Sequence, residues 1–200
     1  MSDRFPDLDF WRKKYQEDHT PWDLGETSSP VRYLVDNHFP PTGKVLIPGC
    51  GRGHEAVYLA RRGYSVTAVD YAPEALDYLR QEADDQGASV EILQQDILAP
   101  STALERRFDV LLEQTCLGAL HPDQWQDYER MAFRTLRKGG QLMGVFMEVA
   151  VENPPPFNCA PHLVRELFDS ERWEFQGMEP MPRNPNRPGP EYIARFLRRG

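Results

Sequence analysis

The chain reads as a doubly wound, mostly parallel α/β sheet of seven strands, and three observations carry that reading. The stretch Val45-Leu46-Ile47-Pro48-Gly49-Cys50-Gly51-Arg52-Gly53-His54-Glu55 combines a short apolar strand at 44–47 with a turn holding glycine at 49, 51 and 53. An apolar-periodic run suited to a helix follows, with Ala56, Val57, Leu59 and Ala60. A second strand, 65–69, ends in Asp70, about 20 residues beyond Gly49. Downstream, strand-like and helix-like segments alternate and finish in a pair of strands. Parallel strands need right-handed crossovers, which place helices on both faces of one sheet.

The glycine turn narrows the ligand. Glycine lets backbone approach a bound molecule closely, and an acid at the end of the second strand can accept hydrogen bonds from a ribose. The run here is G-x-G-x-G, and His54 stands where the dinucleotide fingerprint G-x-G-x-x-G has its third glycine. NAD and FAD use that fingerprint to hold a pyrophosphate at a helix N-terminus. S-adenosylmethionine carries no phosphate and needs only close backbone approach, so the turn favours it over NAD. The same glycines would also serve a tight turn in another α/β protein.

Composition bounds the rest. Two hundred residues with 40% hydrophobic content suit a single domain, 1–200, with a leader at 1–27 and a core at 28–200. Acidic residues number 31 against 23 basic, a net charge of −8, and an acidic surface repels phosphate backbones. Nucleic acid is therefore not an expected partner. No run approaches about 18 apolar residues, and Met1-Ser2-Asp3-Arg4 lacks the apolar region of a signal peptide, so no membrane association and a cytoplasmic location are expected. Cys50, Cys116 and Cys159 are odd in number and lack metal-ligand spacing, which suits reduced thiols and no metal site. Size and charge together suggest a monomer.

Each element has its own signals. In the leader, 10–17 can form a short helix with Trp11 and Tyr15 four apart on one face, followed by a loop through Trp22. Such aromatics could cover a sheet edge, or form a lid over a cationic group. Ser28-Ser29-Pro30 opens a helix with apolar Val31, Leu34 and Val35, ending before Pro40-Pro41. After Asp70, Pro73 starts a helix carrying Leu76, Leu79 and Ala83, closed by Gly87. Strand three is 90–93, ahead of Gln94-Gln95-Asp96-Ile97. Strand four, 108–112, is apolar throughout, as a strand buried on both faces must be. A helix over 123–137 places Trp125, Tyr128, Met131, Ala132 and Leu136 at helical spacing. Lys138-Gly139-Gly140 reads as a stop and turn before strand five, 141–148. A proline-rich loop at 149–160, a helix marked by Val164, Leu167 and Phe168, and strands near 173–178 and 192–197 complete the chain.

Taken together, Trp11-x3-Tyr15-x6-Trp22, Thr20-Pro21-Trp22-Asp23-Leu24-Gly25, Ile47-Pro48-Gly49-Cys50-Gly51, Asp70, Gln95-Asp96-Ile97, Phe108-Asp109 and Pro155-Pro156-Phe157 resemble the thiopurine methyltransferase superfamily. Its members are class I S-adenosylmethionine-dependent methyltransferases, and the nearer likeness is to the thiol and halide methyltransferases. The resemblance runs from about residue 10 to the C-terminus and implies a Rossmann-like class I methyltransferase fold with an N-terminal aromatic lid. It also implies roles. Trp11, Tyr15 and Trp22 would wrap the methionine end and sulfonium, and Gly49 and Gly51 would place backbone against the cofactor. Asp70 would hold the ribose hydroxyls, Asp96 and Ile97 would flank adenine, and Gln114 would contact the amino-acid part.

The implied chemistry is methyl transfer to a small soft nucleophile (a thiol, hydrosulfide, halide or related chalcogen species) by in-line displacement, leaving S-adenosylhomocysteine. Such an anion is already nucleophilic, so no general base is demanded and no catalytic side chain is assigned. An O or N acceptor, or cofactor binding without turnover, are the competing possibilities. Cys116, His121 and Phe157 are expected in the substrate pocket. His121 and His162 are the histidines placed for proton handling near its rim, and Glu113 is a further polar candidate.

Overall fold

A computed structural model describes residues 5–168 and 171–200, so Met1 to Arg4 lie outside the described residues. Among the described residues seven strands form one sheet: β1 (Lys44–Pro48), β2 (Ser65–Asp70), β3 (Val90–Gln94), β4 (Phe108–Gln114), β5 (Leu136–Met147), β6 (Trp173–Pro180) and β7 (Glu191–Arg198). Helices α1 (Leu8–Gln16), α2 (Ser29–Asn37), α3 (His54–Arg61), α4 (Pro73–Asp85), α5 (Trp125–Thr135) and α6 (Pro161–Leu167) accompany them. The strand order is β3-β2-β1-β4-β5-β7-β6, parallel through β5, with β7 antiparallel to both β5 and β6. The predicted doubly wound sheet is the observed one. β7 inserts between β5 and the edge strand β6, which the order of segments along the chain did not reveal.

The helices begin where their side chains can satisfy the first amides. Ser28 caps α2 by accepting the Val31 amide, Pro30 sits in its first turn, and Val31, Leu34 and Val35 are buried beneath. Asp7 caps α1 by accepting the Phe10 amide at 2.9 Å. α1 starts two residues earlier than the sequence suggests because this cap precedes the aromatic stretch. Gly87, at φ 61°, follows α4 in the left-handed conformation that ends helices.

Two apolar layers enclose the sheet. One packs α2, α3 and α4 on it through Leu34, Leu59, Leu76 and Leu79. The other packs α5 and α6 through Tyr128, Met131, Val164 and Phe168. Burial on both sides explains the continuous apolar run of β4, whose Val110, Leu111 and Leu112 are wholly buried.

Lys138-Gly139-Gly140 is a correction. α5 stops at Thr135 and β5 starts at Leu136, which pairs with Phe108, so the glycines lie within the strand. Gly139 takes φ 72°, and a Cβ on Gly140 would come within 3.0 Å of the Phe108 carbonyl oxygen. The register shifts between Phe108 and Val110, so the stretch is an irregular strand opening rather than a free turn. Among the described residues no helix is long and apolar enough to cross a membrane.

The chain leaves β1 in one direction along the sheet and returns to lay β4 on its other side. Ligands of such sheets bind at this switch point, outside the carboxyl ends of the strands.

Candidate active site

A cavity of about 930 Å³ opens at the carboxyl ends of β1, β2 and β4. Its floor is the glycine turn. Gly49 and Gly51 hold φ 57° and 54°, where only glycine is unstrained, and space is short besides. A Cβ on Gly49 would lie 2.6 Å from Cys116 Sγ, and one on Gly51 would lie 3.1 Å from the Tyr15 hydroxyl. The turn therefore brings bare backbone to the cavity.

Asp70 closes β2 and is 7% exposed. Its Oδ2 accepts the Gly51 amide at 2.9 Å and its Oδ1 accepts the Ala72 amide at 3.0 Å. Burial pushes its carboxyl upward, and the Ala72, Gly51 and Tyr71 amides oppose that. Asp96, after β3, accepts the Leu98 amide at 2.8 Å and lines the cavity with Ile97. Gln114, at the end of β4, lines it too, and its Oε1 accepts from the Ser28 hydroxyl at 3.4 Å.

The leader forms the roof. Trp22 packs edge-on against both Trp11 (centroids 5.3 Å apart) and Tyr15 (5.8 Å), and all three face the cavity. Burial and the nearby Asp70 charge push the Tyr15 phenol far above its ordinary value, so it stays protonated. The roof is pinned from three sides. Asp23 meets His54 and Arg52 of the glycine turn, Arg12 and Gln16 reach Glu74 on α4, and Arg187 donates to the Trp22 carbonyl at 2.6 Å.

The β4 carboxyl end is shaped from below. Glu113 is fully buried and does not face the cavity. Its carboxyl accepts the Cys116 amide at 2.7 Å, the Leu117 amide at 3.0 Å and the Tyr128 hydroxyl. Burial pushes it up to about 7 against those three donors. Between them Thr115 sits at φ 59°, an uncommon conformation for a β-branched residue, which signals a turn held by its surroundings. The thiols of Cys50 and Cys116 line the cavity, and burial pushes both well up, which leaves them as thiols rather than thiolates.

The structure thus gathers Trp11, Tyr15, Trp22, Gly49, Gly51, Asp70, Asp96, Ile97, Gln114 and Cys116 around one cavity. It does not bring His121 or Phe157 there. His121 caps a 3-10 turn by accepting the Asp123 amide through Nδ1, and its ring packs edge-on against Phe157 at 5.3 Å. Phe157 is held back by its own amide, which donates to the Gly118 carbonyl at 2.7 Å, so Pro154 to Pro156 face the cavity instead. His162 is exposed on α6, also away from the lining. Sequence reasoning missed Asp23, His54 and Arg187. The first two stood in quoted motifs, but nothing along the chain says that they touch.

The family model for thiopurine S-methyltransferase matches residues 6–184. Thiocyanate methyltransferase 1 of Brassica oleracea is 24% identical over 193 residues, covering 93% of this chain and 83% of the relative. A thiopurine S-methyltransferase of Azotobacter vinelandii is 26% identical over 191 residues, covering 86% and 85%. Among solved structures, the 1,6-didemethyltoxoflavin-N1-methyltransferase of Burkholderia thailandensis, with bound S-adenosylhomocysteine, superposes with a TM-score of 0.80 at 21% identity, covering 96% of this chain and 87% of that one.

Proposed function

The chain belongs to the thiopurine S-methyltransferase family and is an S-adenosylmethionine-dependent methyltransferase, and from that premise we propose that it methylates a small soft nucleophile by in-line displacement. The acceptor class is a thiol, hydrosulfide, halide or related chalcogen anion. One observation carries this reading. Among the buried ionisable groups of the lining, Asp23, His54, Asp70 and Arg187 are already engaged in holding the cavity together, Glu55 accepts the Ser28 amide, and Cys50 and Cys116 stay as thiols. A soft anion needs no proton removed at the moment of attack.

The residues present fit the cofactor. The bare turn at Gly49 and Gly51 admits close approach, and the second lone pairs of the Asp70 carboxylate are available for ribose hydroxyls. Asp96 and Ile97 would flank adenine, and Gln114 would meet the amino-acid part. When bound, the cofactor supplies an electrophilic methyl group on a sulfonium. Trp11, Tyr15 and Trp22 would hold that cation through their ring faces, with attraction of about 0.5–2 kcal/mol per well-placed ring. Closed over the cofactor, the same roof would exclude water, which otherwise blunts a soft anion. Alignment in such a closed site can supply up to about 7–11 kcal/mol. Cys116 contributes a small uncharged surface beneath the turn.

A second reading, an O or N acceptor on a larger molecule, is favoured by exposed His19 in the lining, an imidazole that could take the proton such an acceptor must lose.

The deciding experiment measures S-adenosylhomocysteine formation with hydrosulfide, thiocyanate, iodide, an alkyl thiol, an aromatic thiol and a hydroxylated heteroaromatic. Turnover led by the soft anions or thiols supports the first reading. Turnover of the hydroxylated compound alone overturns it in favour of the second.

A further inference from the structure

The leader and the glycine turn meet in one compact cluster. Asp23 Oδ1 lies 2.9 Å from His54 Nε2, and Asp23 Oδ2 lies 3.1 Å from Arg52 Nη1; the Asp23 and His54 side chains are only 9% and 12% exposed. Arg52 also reaches Asp18 Oδ1 at 2.5 Å and lies over the Tyr78 ring. The Thr27 hydroxyl donates to the His54 carbonyl at 3.1 Å. Asp23 directly follows Trp22, so whatever holds Asp23 holds the centre of the aromatic roof.

We propose that Asp23 and His54 are positioning residues whose ion pair sets the closed placement of the leader, so that cofactor affinity follows the protonation of His54. The inference concerns cofactor binding and does not depend on the acceptor.

The electrostatics agree with the geometry. Burial works against the Asp23 carboxylate, yet the His54 hydrogen bond, the Gly25 amide at 2.8 Å and the Arg52 charge hold it below the usual carboxylate range. The hydrogen bond to Asp23 raises the His54 imidazole above its ordinary value, against burial, with Asp23, Glu55 and Glu82 adding negative charge. Other groups face the imidazole as well. Arg52 lies on the turn, and Tyr78 on α4 packs its ring at 6.0 Å. Outside, a groove that His54 also lines carries Glu26, Arg32, Arg61 and Arg62. Those arginines reach Glu26, Gln86 and Asp36 instead, and the direct Asp23 contact is the one that joins the imidazole to the leader.

A histidine raised by its partner contributes fully below its ordinary value and loses that contribution as pH rises through the raised one. Neutral His54 can still hydrogen-bond Asp23, but the charge attraction is gone. The closed fraction falls, and apparent affinity falls with it in proportion. Reciprocity then requires that ligand binding raise the His54 value, tenfold in affinity corresponding to one pH unit.

The test titrates S-adenosylhomocysteine, which lacks the sulfonium charge, into the full chain by calorimetry from about pH 5.5 to about pH 8.5. The wild type, His54→Gln and Asp23→Asn are compared, while NMR follows the His54 ring in the wild type and Asp23→Asn. Wild-type affinity should fall about three- to tenfold as His54 deprotonates. His54→Gln should bind more weakly at low pH and lose that slope. Asp23→Asn should return His54 toward its ordinary value. A wild-type slope retained in His54→Gln, or no slope in the wild type, overturns the proposal. If the variants fail to fold, the wild-type ring decides: a His54 titration unmoved by ligand also overturns it.

Discussion

Asp70 Oδ2 accepts the Gly51 amide at 2.9 Å, so the carboxylate proposed for the ribose also fixes the backbone on which the cofactor would rest. Replacing it removes two functions at once. Asp70→Ala should weaken cofactor affinity by about 1.5–3 kcal/mol, the loss of charge-assisted hydrogen bonds, and should also lower thermal stability through the freed Gly51 and Ala72 amides. Calorimetry with S-adenosylhomocysteine checks the first, a melting curve the second. Unchanged affinity would remove Asp70 from the site.

Trp22 is the ring on which both Trp11 and Tyr15 lean. Trp22→Ala should slow turnover and weaken cofactor binding by about 1–2 kcal/mol, with little effect on the core, because the leader packs over the cavity and not within the sheet layers. A wild-type rate with any accepted nucleophile would sink the lid.

Gly51 and Tyr15 are coupled through space. A Cβ at 51 would lie 3.1 Å from the Tyr15 hydroxyl, and its φ of 54° adds backbone strain of about 1 kcal/mol for alanine. Gly51→Ala should therefore lose cofactor affinity, and Tyr15→Phe on that background should recover part of it. Strictly additive losses in a double-mutant cycle would show that the two residues do not meet.

Glu113 makes a prediction about stability. Its carboxyl, fully buried, is pushed up to about 7, above the roughly 4.3 of an unfolded glutamate. The folded chain thus holds this proton more tightly than the unfolded chain does. Stability is full below about pH 4.3 and declines as pH rises toward about 7, by a total on the order of 3 kcal/mol. Glu113→Gln keeps a side-chain acceptor for the Cys116 and Leu117 amides but cannot ionise. Denaturant unfolding from about pH 4.5 to about pH 8 should show the wild type losing stability relative to the variant. Parallel profiles would show that Glu113 ionises freely in place.

The alternating strands and helices, the glycine turn and the acid after β2 were legible because each rests on local rules: apolar periodicity, caps, and the left-handed freedom of glycine. The assignments at Trp11, Tyr15, Asp96, Ile97 and Gln114 came through motif resemblance; the last three share a cavity because the fold aligns their strand ends, while α1 brings Trp11 and Tyr15 over it. Other features left no trace along the chain. β7 slots between β5 and β6 because the last strand completes hydrogen bonding on both of its sides. His121 turns away because its ring caps a 3-10 turn, and Phe157 because its amide is taken by Gly118. Asp23 finds His54, and Arg187 finds Trp22, across long separations in sequence. Local sequence determined which segments could form and which carried a cofactor-binding pattern. Only the tertiary structure decided which polar groups meet, because such contacts depend on where the packed layers bring chain ends and loops together, and that carries no periodicity to read.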